Sequence, residues 1–563
     1  MNSVLQFKKA NCKNCYKCIR NCPVKSIKVS DHQANIIDNE CILCGVCTTI
    51  CPQNAKSVRS DIDKVKQLIK SGEHVYCSLA PSFVADFNLN SLEDCRDIFD
   101  SLGFYETQET AIGAHIVKTE YEKLIKQADG KPIISSCCHI VNLLISKYFP
   151  SALGFLSKVI SPMAAHGRYI KQKDKNAKVV FIGPCVSKKE EATGEFIDYV
   201  LTFDELYKWM DSENLAFKKD NFKTPDKKLS RFFPTAGGII KTMDTENSNY
   251  SYIAVDGPES CVAVLKELEK GKITNCFIEM SACKGSCVGG PITKSYAKNS
   301  IRSNLLVEQY ANSKDDFLIK AKINLNKNFS FLGTGEVIPG EDEIIKTLKK
   351  MGKHTSSDEL NCGTCGYNTC REKAIAVCQG KADLTMCLPY LKEKAESFSD
   401  NILNNTPNVI FAIDEDLNIQ QLNKAACKMF GIKNYKDKIG SPIFDLLNPA
   451  RYICAMEKGF GSSEERYYLA EYDKYVEEFI VYDKNYKMII SIMKDITDVE
   501  TQEKQKEQLQ LKTAEITDKM IEKQMRVVQE IASLLGETTA ETKIALTNLK
   551  KVLTENSKSE IVK

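Results

Sequence analysis

The chain begins with Cys12-x2-Cys15-x2-Cys18-x3-Cys22-Pro23 and repeats that run at Cys41-x2-Cys44-x2-Cys47-x3-Cys51-Pro52. The short x2 steps let three thiolates close on one metal cube, and the doubled run calls for two [4Fe–4S] clusters. Thiolate is the soft donor that iron takes, and the prolines turn the chain after each run. Zinc ribbons also use x2 pairs, but the doubled x2-x2-x3-Pro spacing argues against them.

The run resembles the two-cluster ferredoxin module. That resemblance implies crossed ligation, with Cys12, Cys15, Cys18 and Cys51 on one cluster and Cys41, Cys44, Cys47 and Cys22 on the other. The 24 cysteines sit at such spacings in a long chain rich in Lys and Glu. This favours reduced cluster ligands over secreted disulfides, and hence an oxygen-poor cytoplasm. No stretch approaches the roughly 18 apolar residues of a membrane span, and MNSVLQFKKA lacks a signal-peptide core. A net charge of +3 gives no reason to expect nucleic acid. With 563 residues, 43% hydrophobic and 27% charged, the chain has globular composition and divides into roughly three to five domains.

From about 70 to 345, short apolar strands alternate with helices. VVFIG (179–183), KPIIS (131–135) and CFIEM (276–280) read as buried strands; YEKLIKQ (121–127) and TFDELYKWM (202–210) read as helices. The alternation predicts an α/β domain with parallel sheets, whose ligands gather at the carboxyl ends of strands. Cys137, Cys138, Cys185, Cys283 and Cys287 fall in those loops. Spacing alone gives another, unusual cluster.

These loops resemble the three signature segments of the iron-only hydrogenases. The family pattern is Thr-Ser-Cys-Cys-Pro-x-Trp, Met-Pro-Cys-x-x-Lys-x-x-Glu and Glu-x-Met-x-Cys-x-x-Gly-Cys-x-x-Gly-Gly. This chain has SSCCHIV (135–141), GPCVSKKEE (183–191) and EMSACKGSCVGG (279–290). The resemblance implies an H-cluster: a [4Fe–4S] cube joined to a diiron azadithiolate centre with carbonyl and cyanide ligands. Cys138, Cys185, Cys283 and Cys287 would hold the cube, with Cys287 bridging to the diiron unit. Cys137 would pass protons, Lys188 would contact one cyanide, and Ala80-Pro81-Ser82 would meet the other. The implied chemistry is 2 H⁺ + 2 e⁻ ⇌ H₂, with maturation proteins to install the centre and a redox partner such as ferredoxin.

Several positions depart from the pattern. His139 and Val141 replace proline and tryptophan, Gly183 and Ser281 replace methionines, and Met163 stands where a glutamine is usual. Ser157 and Glu191 match proton-relay positions, whereas the two upstream carboxylates are Tyr121 and Leu124, with Glu120 and Glu122 nearby. A leucine cannot relay a proton, so turnover slower than in bidirectional members is predicted. Cys77, Cys95, Cys261 and Cys276 read as core, Gly237 and Gly238 as close-packing glycines, and His139 as a candidate proton or hydrogen-bond group.

Cys362-x2-Cys365-x4-Cys370-x16-Cys387 forms a further cassette, with Cys378 spare. It resembles a small [4Fe–4S] domain of anaerobic electron-transfer proteins, zinc being the other occupant four cysteines allow. The total is three [4Fe–4S] clusters plus the H-cluster. The stretch from Asn408 to Ile432, with EEFIVYD, YKMIISIMKDITDVE and Asp495-Ile496-Thr497, resembles a PAS domain. Beyond 499, Leu509, Ile516, Met520, Val527, Ile531 and Leu534 step in heptads and predict a parallel coiled coil and a homodimer. A break at Gly536-Glu537-Thr538 precedes a second run through Leu546, Leu549 and Leu553.

The expected architecture is a multidomain α/β protein. It has a two-cluster ferredoxin domain at 1–62, an H-cluster domain at 70–345 and an added [4Fe–4S] domain at 350–395. A PAS domain follows at 402–498, then a helical coiled-coil tail at 499–563. The expected function is a hydrogenase of low activity that senses H₂ or redox state and signals to a separate kinase or phosphatase. Rival readings are a metabolic hydrogenase whose PAS domain only dimerises or docks a donor, and a non-catalytic iron–sulfur scaffold.

Overall fold

The computed structural model describes residues 3–8, 11–31, 33–217, 228–246, 249–293, 300–311, 314–315, 317, 319, 323–458, 464–535 and 540–556. The break at 536–538 and the side chains of Leu534 and Leu553 lie outside the described residues. The chain forms two compact units, Met1–Leu391 and Lys392–Lys563. No helix among the described residues is long and apolar enough to cross a membrane.

In the first unit a four-stranded parallel sheet runs in the order Glu106–Glu109, His74–Leu79, Ala177–Gly183, Tyr199–Thr202. A three-stranded parallel sheet runs Ser251–Asp256, Cys276–Ser281, Ile133–Ile134. The central strands are largely apolar on both faces, as buried parallel strands are. Leu79, Val179, Val180, Ile182 and Leu201 are fully buried, each contributing about 1.5–3 kcal/mol by leaving water. Helix Phe203–Ser212 starts where Thr202 and Glu205 close a capping box, and Pro162–Lys173 where Ser161 caps and Pro162 supplies the first turn. Gly113 is needed for packing: a Cβ there would stand 2.0 Å from Pro162 O.

The N-terminal module pairs Leu5–Phe7 with Lys56–Val58 and Ile27–Ser30 with Gln33–Ile36, both antiparallel. Its link to the α/β body is fastened by Lys189, whose fully buried ammonium meets Asp61 and Glu205, each at 3.0 Å. Removing one partner of such a pair costs about 3–5 kcal/mol. Helix Cys370–Cys378 of the cassette packs on Glu341–Lys350.

The second unit is a five-stranded antiparallel sheet, ordered Ile419–Leu422, Val409–Asp414, Met488–Asp495, Lys474–Asp483, Glu464–Leu469. Asp495 accepts from Thr497 N and Oγ1 (3.0 and 2.6 Å), which starts helix Thr497–Leu535. Leu509, Ile516, Met520, Val527 and Ile531 are all exposed on that helix. The second run, Ala540–Asn556, turns back alongside the first: Lys550 pairs with Asp518 at 3.4 Å. The heptad pattern does not show this return, because it carries no information on chain reversal.

Candidate active site

The carboxyl ends of both sheets meet. His74–Leu79 delivers Ala80-Pro81-Ser82, Ala177–Gly183 delivers Cys185, Ile133–Ile134 leads to Cys137 and Cys138, and Cys276–Ser281 leads to Cys283 and Cys287. Cys138, Cys185, Cys283 and Cys287 line one cavity of about 30 Å³, together with Cys44 of the N-terminal module. A second cavity of about 100 Å³ lies beside it, lined among others by Pro81, Ser82, Cys137, Met163, Lys188 and Cys287. Cys185 and Cys287 face both. Cys287 is exposed and lines both cavities, and burial pushes its thiol up to about 12.

The second cavity carries few polar groups, and they are particular ones. Ser82 Oγ is buried with no hydrogen-bond partner. Lys188 Nζ donates to Cys137 O (3.1 Å) and Glu191 Oε2 (2.5 Å). Burial alone would raise Glu191, but Lys188, His139 and Lys327 outweigh it and bring it to about 2. The Lys188 ammonium and the Glu191 carboxylate are therefore an ion pair at neutral pH.

Tyr121 is fully buried and places its hydroxyl 3.2 Å from Cys137 Sγ and 3.2 Å from Ser136 Oγ. Ser157 donates to Ser136 Oγ at 2.9 Å, one step further from Cys137. Leu124 only packs against the apolar cluster around Tyr121. Glu120 is taken by Lys123, and Glu122 by Lys118 and Asp244 N. His139 keeps both ring nitrogens buried without a hydrogen bond, 3.9 Å from Glu190.

Two groups escaped sequence reasoning. Tyr121 was visible as a departure but was not read as a hydroxyl able to carry a proton. Glu279 is 2% exposed and raised to about 7 by burial, although backbone amides from Gly237 to Ile240 oppose the shift. Gly237, with φ 71°, and Gly238, whose Cβ would lie 1.9 Å from Phe232 O, shape that amide loop. Glu279 opens the third signature segment within a continuous apolar run, but its burial against that amide loop depends on packing that the sequence does not show.

Of the N-terminal cysteines, Cys22, Cys41, Cys44 and Cys47 line one small cavity. Cys12 bears electrostatically on Cys18, whose Sγ receives Lys56 Nζ at 3.5 Å. Cys51 Sγ accepts from Ala55 N at 3.4 Å, and Cys15 is exposed. In the cassette Cys370 and Cys387 pack together, buried Lys373 lies near Cys365 and Cys387, and Cys362 meets Thr364 at 3.2 Å. Cys378 points elsewhere, to Thr347. Among the described residues no three His, Cys, Asp or Glu side chains close on a single ion-sized point. The active-site thiols and the Cys22 set line small cavities instead.

Parts of the chain are similar to known proteins. Residues 73–291 match the model of the iron only hydrogenase large subunit, C-terminal domain. Residues 5–65 match a 4Fe-4S dicluster domain, 358–389 an Fe-S cluster family and 397–460 the PAS fold. The chain is similar to iron hydrogenase 1 of Clostridium pasteurianum, 23% identical over 42% of this chain and 53% of that protein. It thus spans about half the length of that relative. It is also similar to the nuclear prelamin A recognition factor of Xenopus laevis, 22% identical over 46% of this chain and 74% of that one. Among solved structures, an FeFe-hydrogenase of Chlamydomonas reinhardtii is 15% identical with TM-score 0.38, covering 49% of this chain and 100% of that chain. A PAS domain of an HTR-like protein from Haloarcula marismortui is 21% identical with TM-score 0.16, covering 19% of this chain and 97% of its own. The central part of the chain, residues 73–291, thus carries an iron-only hydrogenase large-subunit domain, set between a dicluster module and a PAS fold.

Proposed function

We propose that the chain interconverts protons, electrons and H₂ slowly, and reports H₂ or redox state through its PAS domain and helical tail. The observation that carries this reading is the pair of adjoining cavities. Five thiols, Cys44 of the N-terminal module among them, face the first; Cys137, Lys188 and the unpartnered Ser82 hydroxyl face the second.

The donor set fits an H-cluster. Cys138, Cys185, Cys283 and Cys287 would hold the cube, and Cys287, facing both cavities, would also join the diiron part. When bound, the diiron centre supplies the open metal position at which H₂ is made or split. The protein's own groups do the rest. Lys188 is a compact cation suited to a small bound anion such as cyanide, and the Ser82 hydroxyl has a free proton to donate to another. Glu191 holds Lys188 in place. The apolar wall from Pro81 and Met163 limits water in the second cavity.

Proton movement begins at the Cys137 thiol, which is 3.2 Å from the Tyr121 hydroxyl. Ser136 and Ser157 continue from there. These are neutral hydroxyls, poorer acids and bases near neutral pH than carboxylates, so the relay supports slow turnover. The exposed apolar stripe on Thr497–Leu535 suits pairing with a second copy, which supports a signalling dimer.

Maturated, purified protein tests the reading. Carbonyl and cyanide infrared bands that change between argon and H₂ are expected, with H₂ evolution well below that of the fast enzymes. Absence of the bands after maturation overturns the H-cluster assignment. Turnover equal to the fast enzymes overturns the sensor reading in favour of a metabolic one.

A further inference from the structure

The cassette is pinned to the N-terminal module beside Cys22. Lys25 follows the Cys22-Pro23 turn with a left-handed backbone, φ 52°, a conformation better suited to glycine or asparagine. Its ammonium donates to Ile19 O and Arg20 O, both at 3.2 Å, and across to Gly366 O in the cassette at 2.9 Å. Arg20 reaches Thr364 O at 3.1 Å. A Cβ on Gly366 would lie 3.0 Å from Ile19, so the two backbones pass in close contact.

Tyr367 stands at the same seam. It is 3% exposed and its hydroxyl has no hydrogen-bond partner. A buried hydroxyl is unfavourable unless something accepts its proton, and a cluster sulfur is such an acceptor. The thiols that bear electrostatically on both Lys25 and Tyr367 are the same two, Cys22 and Cys365. Cys22 shares its cavity with Cys44, and Cys44 also faces the active-site thiols. The thiol sets therefore follow one another from the cassette to the Cys22 set to the active site.

We propose that Lys25 and Tyr367 couple the cassette cluster to the cluster of the Cys22 set, making that cluster a junction from which electrons pass to the active site or to the cassette. This rests on the cluster assignments above. The step is a single electron transfer: the junction cluster is oxidised by one electron, the cassette cluster is reduced by one, and no bond or proton moves. One ammonium near two clusters favours the reduced, more negative state of each. The cassette, last of the cluster sites along the chain before the PAS domain, then samples the redox state of the junction without lying on the path to the active site.

Redox titration of the full-length, cluster-loaded chain, followed by electron paramagnetic resonance, tests the coupling. Lys25→Met should make two clusters harder to reduce, each by about tenfold, or about 59 mV for a one-electron couple. Lys25→Arg should restore most of the shift, and Tyr367→Phe should move the same two clusters by less. Lys56→Met should move the cluster of Cys18 and, because Lys56 also bears on Cys47, the junction cluster, while leaving the cassette cluster in place. A Lys25→Met chain with full iron and sulfide content that shifts one cluster or none overturns the coupling. Iron and sulfide content unchanged by Cys365→Ser and Cys387→Ser together overturns the cassette assignment itself.

Discussion

In the PAS unit Glu478 is fully buried, yet it accepts from Tyr452 (2.9 Å), Tyr467 (2.8 Å) and Ser491 (2.7 Å) and pairs with Arg451 (3.0 Å). Around it Phe411, Ile443, Val476 and Met493 fill the interior. In the cluster-bearing unit, by contrast, the buried hydroxyls of Ser82 and Tyr367 and both nitrogens of His139 lack hydrogen-bond partners, and thiols face cavities. Folding alone does not favour leaving such groups unpaired, so a cluster of them marks a place shaped for a guest. The PAS unit surrounds its buried carboxylate with its own hydroxyls and a guanidinium. The first unit is built around groups it does not encode.

That contrast can be broken most directly at Cys287, one of the two thiols facing both cavities. Cys287→Ser should abolish the carbonyl and cyanide bands and all H₂ turnover, while iron bound elsewhere is retained. Unchanged bands would show that the two cavities do not serve one centre.

The opposite unit offers the next largest effect. Glu478→Ala leaves Arg451 facing a void and removes the acceptor for three hydroxyls. It should destabilise the C-terminal unit by about 3–5 kcal/mol, read as a lowered urea midpoint for that unit with cluster absorbance unaffected. A midpoint within error of the unaltered chain would mean the PAS core is more permissive than its hydrogen bonding implies.

The smallest expected effect sharpens the role of the orphaned site's neighbour. Tyr121→Phe keeps the ring packed on Phe277, 5.3 Å between centroids, but removes the hydroxyl beside Cys137. H₂ turnover should fall about 100-fold with the infrared bands in place. Undiminished turnover would send the proton by another route.

Much of this molecule was readable before folding was considered. Ligand runs such as Cys41-x2-Cys44-x2-Cys47 are local, and their spacing carries their chemistry. VVFIG and CFIEM announce buried parallel strands because both faces must be apolar. The Tyr121–Cys137 contact was not readable, because a helix and a loop sixteen residues apart meet only through packing. Nor was the docking of Gly366 on Ile19, where the partners are more than three hundred residues apart and both are ordinary in composition.

Residue order alone specifies the kinds of centre this protein can host and roughly where each lies along the chain, since short-range thiol spacing is a property of the local backbone. Which thiols share a cavity, which hydroxyl stands next to Cys137 and which cluster site touches the cassette follow from the crossing of two parallel sheets and the seating of one module on another. Those are sums of many weak, non-directional contacts, and no single stretch of residues encodes them.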